Sequence, residues 1–228
     1  MIPKTDATDG TNTTLYWGYN LYQKDVDGLD NLDDVTAAKA DFNGQDNTAK
    51  IIAGYTAHGV EMNSRDMCKV LETYNEGGYT DWYVPAAGQL YEFYTNKAAI
   101  NKALAAISGT AFLFSGYWSS SELLASGAWA VFFYDDDVSY GGKADGLYVR
   151  FVRDLTKPLK EKISELENNK ADKSELPTKV SQLENDKNYI QDDVISDGVY
   201  AISSTGELID YNLADETAIG VALIAGEH

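Results

Sequence analysis

Residues 117–153, YWSSSELLASGAWAVFFYDDDVSYGGKADGLYVRFVR, narrow most what this chain can fold into. Trp118, Trp129, Lys143, Arg150 and Arg153 alternate there with a looser mixture of Ala, Phe, Tyr, Asp, Ser and Gly. Successive side chains of a strand point to opposite faces, so alternation of this kind argues strands. A strand over a core needs apolar side chains on one face and tolerates almost any on the other. The region therefore reads as several strands with loops, and its tolerant positions as a displayed surface that implies binding rather than catalysis. Trp118 and Trp129 are expected to anchor the sheet interior. Arg150 and Arg153 are expected on one strand face, paired with carboxylates.

The other segments support a mixed fold. Residues 14–23 (TLYWGYNLYQ) are aromatic and strand-like, and 24–47 read as a loop with one helical turn around 35–40. Residues 50–55 read as a short strand. Asn63 or Ser64 can cap a helix running to about Tyr74, stopped by Glu76-Gly77-Gly78. Residues 81–85 are extended up to Pro85, and helices follow over 88–96 and 98–107. The reading is α+β, with two or three helices packed on small antiparallel sheets.

The chain is organised in three blocks: 1–154 as the main domain, 155–190 as a linker and 191–228 as a β-hairpin segment. In the linker, Leu159, Ile163 and Leu166, then Leu176, Val180, Leu183 and Ile190, recur at heptad-like spacing among charged residues, with Pro177 between the runs. That spacing argues a short coiled coil, and a helix so short is stable only in association. In 198–212 two β-rich runs flank Ser204-Thr205-Gly206, a hairpin signal. Residues 218–225 are nearly continuously apolar and need a partner sheet to avoid an exposed edge.

Composition excludes several function classes. A formal net charge of -18 repels nucleic acid and anionic lipid. The single cysteine, Cys68, cannot form a disulfide within the chain and reads as a small core residue. With only His58 and His228 there is no Cys/His metal spacing and no Ser-His-Asp set, so no metal, cofactor or catalytic residue is expected. No stretch is apolar enough for membrane insertion, and the N-terminal residues lack signal-peptide features.

DWYVPAAGQLYEF, then GYWSSSE, AWAV, Lys143 and YVRFVR resemble, in order, the C-type-lectin-fold variable proteins diversified by retroelements. Their wider relatives include the formylglycine-generating-enzyme type of this fold. The resemblance covers roughly 11–154 and is strongest over 81–153. It implies a fixed scaffold of Ala128, Trp129, Val131, Phe133, Val138, Lys143, Tyr148, Val149 and Arg150. It implies a diversified ligand-binding set of Ala130, Phe132, Tyr134, Asp135, Asp137, Ser139, Tyr140, Gly141, Gly142, Ala144, Asp145, Gly146 and Leu147. In such proteins adenine-directed mutagenesis of Asn codons never yields Lys, Glu, Gln, Met or Trp, and none of these positions carries one.

Residues 174–188 separately resemble short coiled segments of phage tail fibres, which implies a homotrimer. In the family order the coil and the strands of 198–212 precede the lectin domain, whereas here they follow it. Residues 198–225 are therefore expected to complete a lectin-type sheet in permuted order, in their own chain or in a neighbour. The functional expectation is attachment of a phage tail or bacterial surface to a host cell-surface protein or glycan. Two alternatives are a purely structural fibre component and a calcium-dependent sugar lectin. For the second, Asp135-Asp136-Asp137 is the candidate by chemistry. Chemistry of the formylglycine-generating kind relies on paired cysteines, which this chain lacks.

Overall fold

A computed structural model describes residues 1–134, 137–155, 198–202, 208–209 and 220–224. The fold is α+β: five α-helices accompany small antiparallel sheets, with no closed barrel among the described residues. The helices are α1 (Val35–Lys39), α2 (Gly44–Ala57), α3 (Met67–Leu71), α4 (Ala87–Thr95) and α5 (Lys97–Ala106). The strands are β1 (Ile2–Pro3), β2 (Leu15–Tyr16), β3 (Gly116–Leu124), β4 (Gly127–Phe132), β5 (Asp137–Gly142), β6 (Gly146–Leu147), β7 (Gly198–Ile202), β8 (Leu208–Ile209) and β9 (Gly220–Ile224). They form sheets in the orders β3-β4-β5, β2-β6 and β1-β9-β7-β8.

The sheet β3-β4-β5 divides two cores. Trp118, Ala128 and Ala130 join Trp17, Leu21, Ile51 and Tyr55 in one. Tyr117, Trp129 and Val131 join Leu90, Phe93, Leu104 and Phe133 in the other. The two tryptophans anchor the interior as expected, but from opposite faces. Each ring also satisfies its N–H: Trp118 Nε1 donates to Leu15 O at 3.1 Å and Trp129 Nε1 to Leu32 O at 2.9 Å.

Several helices follow local signals. Asp34 Oδ1 accepts from Ala37 N at 2.8 Å and caps α1. Gln89 Oε1 accepts from Ala86 N at 3.0 Å and holds the start of α4, which buries Leu90 and Phe93. After α3 the chain turns through Gly77 and Gly78 at φ 67° and 79°, a left-handed conformation that glycine adopts without cost.

Three local expectations are corrected. Residues 50–55 are helical, inside α2. Their β-branched residues suggested a strand, but Asn47, Thr48, Ile51, Gly54 and Tyr55 recur on one buried face, and packing of that face outweighs propensity. In 14–23 only Leu15–Tyr16 is a strand; Trp17 then plunges into the core and its Nε1 donates to Ser119 O at 2.9 Å. The helix begun near Asn63 is only Met67–Leu71, because Asn63 Oδ1 accepts from Arg65 N at 3.0 Å and sets a turn first.

β7 and β8 pair as the hairpin signal predicts, Ile202 opposite Leu208. β9 lies between β7 and β1, with Val221 opposite Ile2, so the apolar strand has a partner on each edge. These strands complete a sheet around β1 rather than extend β3-β4-β5, and β7 and β9 pack on α5. The coiled-coil expectation for 155–190 lies outside the described residues, apart from Leu155.

Candidate ligand-binding surface

The scaffold under the proposed display set is heavily polar for a core. Lys143 and Glu122 are both wholly buried and form an ion pair. Lys143 Nζ also donates to Lys24 O at 2.7 Å, and the Glu122 carboxylate accepts from Val26 N at 3.2 Å. Burial pushes the Glu122 carboxyl up and the Lys143 amine down, against the pull of their pairing. A second node is the buried Asp66, which accepts from Tyr19 N, Tyr55 OH and Asn63 N at 2.8, 2.8 and 2.7 Å. It ties the loop before α3 to α2.

Arg150 and Arg153 both pair with carboxylates, as expected, but not on one face. Arg150 Nε donates to Asp6 Oδ1 at 2.6 Å, and its guanidinium lies over Phe112. Arg153 donates to both oxygens of Asp81, at 2.7 and 2.9 Å, and lies over Tyr79. Three residues of extended chain reverse a side chain's direction, so the two arginines clamp different segments.

The thirteen display positions do not share one surface. Antiparallel partners share a face, so the register Ala130↔Ser139, Phe132↔Asp137 and Ala128↔Gly141 places these positions on one side of the sheet. Tyr140, opposite Trp129, is on the other. Ala130 is fully buried in the Trp118 core. Phe132, Ser139, Gly141, Gly142, Ala144 and Leu147 are half-buried, and Asp145 and Gly146 are exposed. A Cβ on Gly141 would stand 2.8 Å from Trp118 Cη2, so this position is filled from below. Gly142 and Asp145 close a tight turn in which Gly142 N donates to Asp145 Oδ2 at 2.8 Å. Asp137 is known here only as a strand position of β5, and Asp135 lies outside the described residues.

What does project is aromatic. Tyr134 is 45% exposed and Tyr140 61%. Tyr134 touches Phe132 edge-on at 5.5 Å between centroids and Phe114 at 5.7 Å. Phe114 is 80% exposed, with Leu113 beside it. Gly116 sits under this group: a Cβ there would meet Phe132 Cε1 at 2.7 Å and Leu147 Cδ2 at 3.2 Å. Phe114, Tyr134, Phe132 and Leu147 thus make one apolar surface around the end of β4. Tyr140 stands apart against Trp129, at 6.1 Å.

Phe114 and Leu113 were not among the sequence candidates. The available signal was the apolar run 111–114, between Thr110 and Ser115-Gly116, with no charged side chain in it.

A separate cleft of about 170 Å³ between α1 and α2 is lined by Asp30, Asp41, Asp46, Asn43, Asn47 and Lys50, among others. Two of its acids are engaged: Asp41 accepts from Asn47 Nδ2 and Ser121 Oγ at 2.8 and 2.6 Å, and Asp46 pairs with Lys50 at 2.7 Å. Among the described residues no cluster of three or more His, Cys, Asp or Glu is placed to hold a metal, and no helix is long and apolar enough to cross a membrane.

A family model described as the Lcl C-terminal domain matches residues 6–153. The chain belongs to this family. The Lcl C-terminal domain here begins at Asp6 and ends at Arg153, the residues that pair with Arg150 and Asp81 respectively, so its match spans both clamps. A search among curated proteins found no match. Among solved structures the domain is similar to a fimbrial protein from Bacteroides ovatus ATCC 8483, at 21% identity and a TM-score of 0.40, over 57% of this chain. The chain spans 28% of that protein's length.

Proposed function

We propose that this chain is a ligand-binding module of a phage tail or bacterial surface protein, which engages host-surface protein or glycan through its exposed aromatic side chains. Membership of the Lcl C-terminal domain family is compatible with a surface- or tail-associated binding protein. The observation that carries the reading is the ring chain Phe114–Tyr134–Phe132, which runs from the half-buried Phe132 out to Phe114, 80% exposed. Large aromatic side chains expose contact area at low entropic cost, and a rigid base keeps that advantage on binding. In this reading the scaffold is a C-type lectin fold and the positions around the β4–β5 turn are diversified by a retroelement. Catalysis has no part in it: the Cys68 thiol is buried and pushed up by burial, and the His58 ring bonds the Asp25 carbonyl.

The test is a glycan-array and cell-surface binding screen of the chain against the double variant Phe114→Ala/Tyr134→Ala. A ligand found for the parent and weakened tenfold or more in the variant supports the surface. A ligand bound equally by both removes it. Diversification has its own test: a near-copy of the coding sequence with Asn codons at the display positions, beside a reverse transcriptase gene. The homotrimer that the resemblance to tail-fibre coils implies is checked by light scattering.

A further inference from the structure

The apolar surface at the end of β4 is held out on a pinned backbone. Phe112 N donates to Asn101 Oδ1 at 2.8 Å, and the buried Phe112 ring stacks on Phe133 at 4.7 Å between centroids. Leu113 N donates to the Tyr117 hydroxyl, Ser115 N to Leu113 O and Phe133 N to Ser115 O, each at 2.9 Å. Phe114 lies between these anchors, so its 80% exposure is that of a ring on a fixed stem. A side chain placed before binding loses little freedom when it is covered.

Two features of this surface select its partner. The first is polarity. Leu113, Phe114, Phe132, Tyr134 and Leu147 make the centre, and among their side chains only Tyr134 carries a polar atom. A sugar ring carries hydroxyls around its rim, and each one buried here without a partner keeps an unrepaid desolvation cost. An apolar pocket on a protein has no such cost, and aromatic rings seated in pockets are the usual anchors of protein interfaces.

The second feature is charge. The sequence from 132 to 147 holds four acids, Asp135, Asp136, Asp137 and Asp145, and one base, Lys143. Lys143 is wholly buried and paired with Glu122, whereas Asp145 is exposed and Asp137 sits opposite Phe132 in the strand register. The nearby Lys97 is turned onto the Tyr94 ring, 3.9 Å from its centre. The chain as a whole carries a net charge of -18. Such a field repels sulfated and other anionic glycans and draws in a basic surface.

We propose, resting on the reading of this face as the binding surface, that its partner is a protein with an apolar pocket rimmed by lysine and arginine. Phe114 is the side chain that fills the pocket. The apolar contact holds the complex together, and the opposite charges speed its formation.

The test titrates the labelled full-length chain onto a panel of bacterial and animal cells, left untreated, shaved with trypsin or oxidised with periodate. Trypsin is expected to abolish binding and periodate to leave it unchanged. Raising salt from about 50 to about 500 mM is expected to weaken binding roughly tenfold, and Asp137→Lys to weaken it at low salt only. Phe114→Ala, which removes a ring outside the core, is expected to weaken binding at least about tenfold at either salt. Tyr22→Ala, at an exposed ring on another segment, is expected to bind as the parent does. Binding that survives trypsin, that periodate removes or that salt does not move overturns this partner while the binding surface stands. Equal binding by Phe114→Ala and the parent, or binding to no cell, overturns the surface itself. A greater mass by light scattering for the parent than for Phe114→Ala shows a second copy on the patch and overturns the proposal as well.

Discussion

β4 and β5 lie side by side, carry the same alternation and come to different ends. β4 is sandwiched: Ala128 and Ala130 meet the Trp118 core, and Trp129 and Val131 meet the core built on α4 and α5. β5 lies at the edge of its sheet, and there Tyr140 stands 61% exposed although it is paired directly with the buried Trp129. Period-two alternation thus tells which residues share a face but not whether that face meets water. Position within the sheet decides the second question, and here it divides the display set into positions that can vary freely and positions that cannot.

The comparison can be broken most sharply at its base. Glu122→Ala leaves the wholly buried Lys143 without its carboxylate. A loss of about 3–5 kcal/mol is expected in urea unfolding, because an unpaired buried charge costs far more than a pair yields. Ala130→Asn follows, the residue that a diversification template would carry there. It places an amide against the Trp118 core and is expected to cost roughly 3 kcal/mol. A neutral effect would show that β4 opens to solvent.

Gly141→Asn tests the next position out. Its Cβ would meet Trp118 at 2.8 Å, so about 1–3 kcal/mol should be lost, with a change in tryptophan fluorescence as the ring shifts. Tyr140→Ser, on the same strand but outward, is expected to change stability by no more than about 0.5 kcal/mol. A larger loss would mean that the Trp129 contact at 6.1 Å matters to folding.

Burial also leaves a pH signature. It pushes the Cys68 thiol up from 9.0 and the Tyr55, Tyr74, Tyr83 and Tyr117 hydroxyls up from 10.0. The unfolded chain releases these protons first, so stability is full below about pH 9 and falls as pH rises above it. Urea midpoints measured between pH 8 and 11 should decline. A flat profile would mean that these groups reach water in the folded state.

Much of the fold was legible. Several segments declared themselves: the helical turn read around 35–40 is α1, the helices read over 88–96 and 98–107 are α4 and α5, and the two β-rich runs read as a hairpin pair as β7 and β8. α2 did not, because Ile51 and Ile52 favour strands and only the partners waiting for Ile51 and Tyr55 make the segment helical. Of the candidate surface, Phe132, Tyr134 and Leu147 were among the positions that the family resemblance implied. Phe114 was not, since an apolar side chain in an irregular run carries no period from which a face can be read. The pairing of Arg150 with Asp6 and of Arg153 with Asp81 was foreseen only in kind, because the partners lie far away in sequence.

The sequence by itself determined local matters: the helices over 88–96 and 98–107, the glycine stop after α3, and which residues alternate in the strands of 117–153. Tertiary structure alone decided that one sheet would be buried on both faces, that glycines would lie beneath Trp118 and Phe132, and that β1 would take its partner from residues 220–224. The physical reason is range. Propensity, capping and period act over a few residues, whereas burial and strand pairing depend on what the rest of the chain brings to the same place.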